Sequence, residues 1–251
     1  MRTIALILLA ILGAGGAHGQ EDLGNSYDEA FAGLRTAVAV EREAPLELPS
    51  YPMSDALAKV LETLPAHDIG TTGKPGSPLT LVFIGTKEQV GGALKRAGWT
   101  SVPRSGYKGF VEGLGQLVIG RKITKFPPFH RFFVEGKEQD ENWAQVVHSI
   151  SKRHHFRLWR VKESTPEGRE IWWGSGSYDM GIRWKFIIPI THIISPDISA
   201  ERDYVARSLL TAPGVVRIGV AALPQIALGG ITNNHQQYFT DGRALVVEFG
   251  P

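Results

Sequence analysis

The sequence predicts an α+β fold: a mainly antiparallel mixed sheet with helices packed on one face. Three observations lead there. Apolar runs of strand length outnumber helical stripes, several of those runs are neighbours in sequence, and turn residues separate them. No internal repeat is visible in the 251 residues.

The elements follow in chain order. Residues 20 to 43 are polar and alanine-rich, and Ala44 to Pro52 carries three prolines, which marks a linker or an extended entry strand. Ser54 is placed to cap a helix whose Leu57, Val60, Leu61 and Leu64 fall on one face, with Pro65 as its stop. Ala66 to Pro78 is rich in Gly, Thr, Pro and Ser and reads as a loop. Leu79 to Ile84 is a continuous apolar strand. Thr86 and Gln89 form a capping-box pattern, followed by a stripe of Val90, Ala93, Leu94 and Ala97 that ends at Gly98. Further strands are expected at Leu117–Ile119, Arg131–Val134, His155–Val161, Glu170–Ser177 and Trp184–Ile190. Thr165-Pro166-Glu167-Gly168 is a turn that would join the third and fourth of these as a hairpin. Asp197 or Ser199 caps a second long helix, with Ile198, Val205 and Leu209 inward and an i,i+4 pair from Asp203 to Arg207. Val215–Leu223 and Ala244–Phe249 close the chain as strands.

Composition narrows the chemistry. Arg2 leads into an apolar run from Ile4 to Leu12 and then to Ala17-His18-Gly19, the three parts of a secretory signal peptide, with cleavage before Gln20. The run falls short of the roughly 20 apolar residues of a membrane span. The expected divisions are therefore 1–19 as signal, 20–69 as a helical and linker segment, and 70–251 as the main domain. The chain contains no cysteine, which excludes disulfides, thiolate metal sites, cysteine nucleophiles and lipid attachment at a cysteine. Arg121, Lys122, Lys125 and Arg131 alternate with Phe126, Phe129 and Phe132, a mixture that nucleic-acid surfaces also use. With a formal net charge of only +2 and an export signal, a solvated strand edge is the expectation and no nucleic-acid partner is.

The richest chemistry is late. Arg153-His154-His155-Phe156-Arg157-Leu158-Trp159, Trp172-Trp173-Gly174 to Tyr178-Asp179, and Thr191-His192 through Pro196-Asp197 to Glu201-Arg202-Asp203 crowd imidazole, guanidinium and carboxylate into core-like segments. Burying such groups is costly unless they pair or form a site. Strand alternation puts His155, Arg157 and Trp159 on one face and His154, Phe156 and Leu158 on the other, mostly apolar one. The candidate catalytic set is His155, Arg157, Asp179, His192 and Glu201. The candidate ligand-binding set is Arg157, Trp159, Asp197 and Arg202. A metal would recruit His155, His192 and carboxylates, but no ligand spacing such as His-Glu-x-x-His occurs, so neither metal nor cofactor is assigned. Gly174-Ser175-Gly176-Ser177 misses the spacing of a serine nucleophile elbow.

These residues resemble the LssY C-terminal-like domain family. The similarity runs through Pro78 to Gly85 and the helix ending Ala97-Gly98-Trp99, then Arg153 to Trp159. It continues through Ile171-Trp172-Trp173-Gly174 with Tyr178-Asp179, and Thr191-His192 to Pro196-Asp197-Ile198 with Ala200 to Asp203. Together they cover roughly residues 70 to 215 in order. Ser199 stands where the family is expected to carry an acid, and Gly136 to Asp140 matches a family Gly-Arg segment only loosely, with Lys137 in the basic place. The resemblance implies a cell-envelope setting, since the family name comes from a locus linked to type I secretion and similar domains occur beside membrane and lipid-phosphatase-like modules. It implies no catalytic roles.

The expected protein is exported, periplasmic or extracellular, and binds an anionic small molecule or lipid headgroup at the His/Arg/Asp cluster. Arg157 and Arg202 would each hold phosphate or carboxylate through two hydrogen bonds. Two alternatives stand beside it. One is a hydrolase of phosphoester or acyl substrates using histidine and carboxylate, and the other a structural or interaction protein linked to secretion machinery. All rest on one geometric expectation, that the three pieces meet at a shared opening.

Overall fold

Apolar alternation along the chain resolves into sheets and three helices in a computed structural model that describes residues 46–103, 129–149, 152–185 and 188–250. Side chains are described for these except 146–149, 152, 181–185 and 188–192. The expected signal segment and the strand expected at Leu117–Ile119 lie outside the described residues.

Helix α1 spans Asp55–Glu62, with the Ser54 Oγ accepting from the Leu57 N–H at 3.2 Å. Strands β1 (His67–Gly70) and β2 (Pro75–Pro78) follow, then β3 (Leu81–Ile84). Helix α2 covers Lys87–Arg96, and both halves of the Thr86–Gln89 capping box are formed. Next come β4 (Thr100–Ser101), β5 (Phe132–Val134), β6 (Lys137–Glu138), β7 (Glu141–Ser149), β8 (Lys152–Ser164), β9 (Glu170–Lys185) and β10 (Ile188–Ile194). Helix α3 is Ile198–Leu209, capped by Asp197, whose side chain accepts from the Ala200 N–H at 2.9 Å. The rest are β11 (Val215–Ala222), β12 (Gly229–Ile231), β13 (Gln237–Phe239) and β14 (Arg243–Phe249).

The main sheet runs β11-β14-β3-β9-β8-β7-β4, with β10 also paired to β9. Every neighbour in it is antiparallel except β14 and β3. A second sheet, β2-β1-β5-β6, and the β12–β13 ribbon complete the described strands. The molecule is α+β with mixed, mostly antiparallel sheets.

Period-2 alternation in β3 gives the layers. Leu81 and Phe83 enter one core with Val90 and Leu94 of α2 and Val205 and Leu209 of α3. Val82 and Ile84 enter the opposite core with Leu57 and Leu61 of α1 and with Phe132 and Val134 of β5. Helices α2 and α3 thus share one face, while α1 and the small sheet cover the other.

Several local expectations hold. The β8–β9 hairpin forms, and its Thr165–Gly168 turn is closed by the Gly168 N–H on the Thr165 carbonyl, with Gly168 at φ 78°. Others need correction. The run Trp184–Ile190 is not one strand: β9 ends at Lys185 and β10 begins at Ile188, which pairs back to it. The Ala66–Pro78 segment is not an open loop but contains the β1–β2 hairpin. Strand β7 was not expected. Its alternation is hidden because Trp143 and Ala144 enter different apolar clusters and Asn142 is buried. Asp203 pairs with its neighbour Arg202.

Candidate functional site

The late polar cluster divides into three places, because adjacent residues of a strand project to opposite faces. On the α1 side of the sheet, β8 contributes Arg153, His155 and Arg157, and the facing stretch of β9 contributes Ser175, Ser177 and Asp179. All six are buried. The Arg153 Nε donates to Asp179 Oδ2 at 2.9 Å, and His155 Nδ1 lies 3.6 Å from the same oxygen.

Arg157 differs from its neighbours. It is 7% exposed, and its guanidinium carbon lies 5.2 Å over the Phe129 ring and 4.6 Å over the Phe132 ring. Among the described residues no side chain forms an ion pair with it, and its Nε is buried without a hydrogen-bond partner. Burial pushes the guanidinium below its ordinary range, and the Asp68 and Asp179 charges act against that shift. Phe129 also meets His155 edge-on at 5.1 Å and carries Arg153 at 5.1 Å. Phe129 and Phe132 are therefore not part of a solvated edge; they wall in the cations. Residues 121–128 lie outside the described part.

Asp68 completes this place and was missed in the sequence. It is fully buried, with Oδ1 accepting from the Ser77 N–H and Oδ2 from the Ser175 hydroxyl, each at 2.8 Å. Burial raises its carboxyl to about 6, against the Arg157 charge and those two hydrogen bonds. Its only sequence signal was an acid inside a run of small residues. Gly76 is required beside it, since a Cβ there would lie 2.0 Å from Asp68 Oδ1.

Glu201 sits on the other side of the sheet, with α3. Its Oε2 is 2.5 Å from Nδ1 of His154, a residue expected in the apolar face. Burial raises the Glu201 carboxyl and the His154 hydrogen bond and charge lower it, leaving it above the ordinary range.

The third place is the junction of α3 with the β13–β14 connection. Arg202 is 2% exposed. Its Nε and Nη2 donate to Asp203 Oδ1 at 3.0 and 2.6 Å, and Nη1 donates to Asp241 Oδ1 at 2.5 Å and to the Arg243 carbonyl at 3.0 Å. Burial alone would raise the Asp241 carboxyl, but Arg202 and then Arg243 hold it at about 2.

Residues 61–244 match the LssY C-terminus family. The chain belongs to that family. No curated protein and no solved structure matches it. The match to the LssY C-terminus contains all three polar places, so the family domain includes both faces of the sheet.

Within this LssY C-terminus domain the candidates separate as follows. His155, Arg157 and Asp179 come together. Glu201 lies on the other side of the sheet, paired with His154, and does not join them. Arg202 is a correction as a ligand-binding residue, because its donors are engaged by Asp203, Asp241 and a carbonyl. Trp159 is another: it is 1% exposed, packs in the α1-side core and donates its indole N–H to the Lys137 carbonyl at 3.1 Å. Asp197 is buried as the cap of α3. The backbone of His192 lies opposite Ile182, and its side chain is outside the described ones. Among the described residues no three His, Asp or Glu side chains are placed to hold a metal. Ser199, where the family was expected to carry an acid, accepts from the Asp241 N–H at 2.9 Å and helps bind α3 to that turn.

Proposed function

We propose that this LssY C-terminus protein is a cell-envelope binding module for an anionic group, phosphate or carboxylate, held at Arg157. The single observation behind this reading is a buried guanidinium laid over two aromatic rings without an ion pair among the described residues. An arginine so placed leaves strong donors unmet, a deficit that a planar or tetrahedral anion supplies through paired hydrogen bonds. Arg153 adds positive potential, while Asp68 supplies an opposing charge. The export signal in the sequence supports the envelope location, where free phosphate and lipid headgroups offer the same chemistry.

Calorimetric titration of the chain with inorganic phosphate, in parallel with vesicles carrying phosphatidic acid, tests the reading and separates the two sources. Binding should weaken at least about tenfold in Arg157→Met, the loss of about one charge-assisted hydrogen bond, and tighten in Asp68→Asn. Equal binding by the Arg157→Met variant would remove the proposal. Phosphate binding alone identifies a free ion as ligand, and vesicle binding a headgroup.

A further inference from the structure

The α3 face of the sheet holds a polar centre that the Arg157 place does not use. His154 extends from β8 between two tyrosines. Its ring stacks on Tyr204, with centroids 3.4 Å apart and planes 8° apart, and on Tyr178 at 4.5 Å and 24°. Tyr204 is itself fixed by its hydroxyl, which donates to Gln145 Oε1 at 3.0 Å, and by the edge of Trp99. The stacking fixes the plane of the imidazole, and Glu201 fixes its rotation within that plane through Nδ1. Gly176 makes room for the acid: a Cβ there would meet Glu201 Cγ at 3.1 Å.

The arrangement has a chemical consequence. A carboxylate that accepts the Nδ1 proton leaves the lone pair of the neutral ring on Nε2. No described residue hydrogen-bonds Nε2, and the His154 side chain keeps 13% exposure while that of Glu201 keeps 1%. The imidazole is thus oriented from within and open on its basic edge. A pair that served only to fill the core would have no need of that opening. Both faces of the ring are covered by aromatic walls. The tyrosine walls suit an uncharged acyl group.

We propose that His154 and Glu201 form an acid–base dyad that activates water against a carboxylic ester. Nε2 takes a proton from water as the water oxygen bonds to the acyl carbon. The acyl C–O bond then breaks, and the departing alkoxide takes the proton from Nε2. Glu201 holds the Nδ1 proton throughout, balances the transient imidazolium and acts as a positioning residue. Ester and water become acid and alcohol, and the ring returns to its starting state without a cofactor.

Two probes on the whole chain test this. Diethyl pyrocarbonate acylates neutral imidazole, and peptide mass spectrometry reads each histidine separately. His154 should react at least about tenfold faster than exposed His235. Glu201→Gln should slow His154 at least about fivefold, and Glu201→Asp should restore most of the rate. Unfolding is told apart by His155, which is 5% exposed: its modification would speed up to the His235 rate in an unfolded chain and stays slow in a folded variant. Hydrolysis of p-nitrophenyl acetate should follow the same order and fall at least about tenfold in His154→Ala. A His154 no more reactive than His235, indifference to Glu201→Gln, or ester turnover unchanged in His154→Ala would each overturn the dyad.

Discussion

Two buried arginines, Arg157 and Arg202, show how differently one side chain is used in the same domain. Arg202 is enclosed by Asp203, Asp241 and the Arg243 carbonyl, and it fastens α3 to the turn before β14. Arg157 lies over Phe129 and Phe132, with Asp68 close enough to feel its charge but no ion pair joining them among the described residues. A satisfied buried cation is part of the scaffold. An unsatisfied one is a standing cost that the fold retains, and such costs gather at functional places.

Giving both arginines the same substitution tests the comparison most directly. Arg202→Met should destabilise by about 4 kcal/mol in urea unfolding, because two carboxylates lose their common cation. Equal costs at 157 and 202 would end the distinction.

The acids that accompany the two arginines should titrate with opposite signs. Asp68 has a folded value raised from 3.8 to about 6, so its contribution is fully present below 3.8 and is lost as pH rises through about 6. The stability of the wild type relative to Asp68→Asn should therefore fall by about 3 kcal/mol between about pH 3.5 and about pH 7. Asp241 is held down, from 3.8 to about 2. Its contribution is present above 3.8 and is lost as pH falls through about 2. Relative to Asp241→Asn, the wild type should lose between about 1 and 2 kcal/mol on acidification. Slopes of the same sign in these two difference curves would contradict the assignment.

The smallest effect is the most informative. Arg157→Met should change stability by less than about 1 kcal/mol, since removing a desolvated charge offsets the lost ring contacts. Urea unfolding of this variant beside Arg202→Met measures both arginines on one scale.

Features encoded over a few residues were legible in the sequence. The Thr86–Gln89 box, the Thr165–Gly168 turn, the Asp197 cap and the apolar β3 run all depend on neighbours in the chain. Alternation along β8 also placed His155 with Arg157 and put His154 opposite them. What alternation could not reveal was the layer lying on each face. His154 looked like a core position because Phe156 and Leu158 share its face, yet α3 brings Glu201 to it from 47 residues away. Asp68 was hidden for the same reason. Its meaning depends on Ser175, 107 residues distant, and on a hairpin built from Gly- and Pro-containing pieces that carry no strand-like periodicity. Arg202 misled because a guanidinium between acids reads alike whether its partners are a ligand or Asp241.

The placement of β14 has a consequence for assembly. Arg243–Phe249 lies between β11 and β3, antiparallel to the first and parallel to the second, so β3 gains this neighbour only once a strand far downstream in the chain has been made. Until Phe249 has left the ribosome, β3 and β11 each present a bare hydrogen-bonding edge, and two apolar layers lack their shared centre. Closure of this sheet must therefore wait for those seven residues, and a chaperone that shields the two edges has its task set by their position.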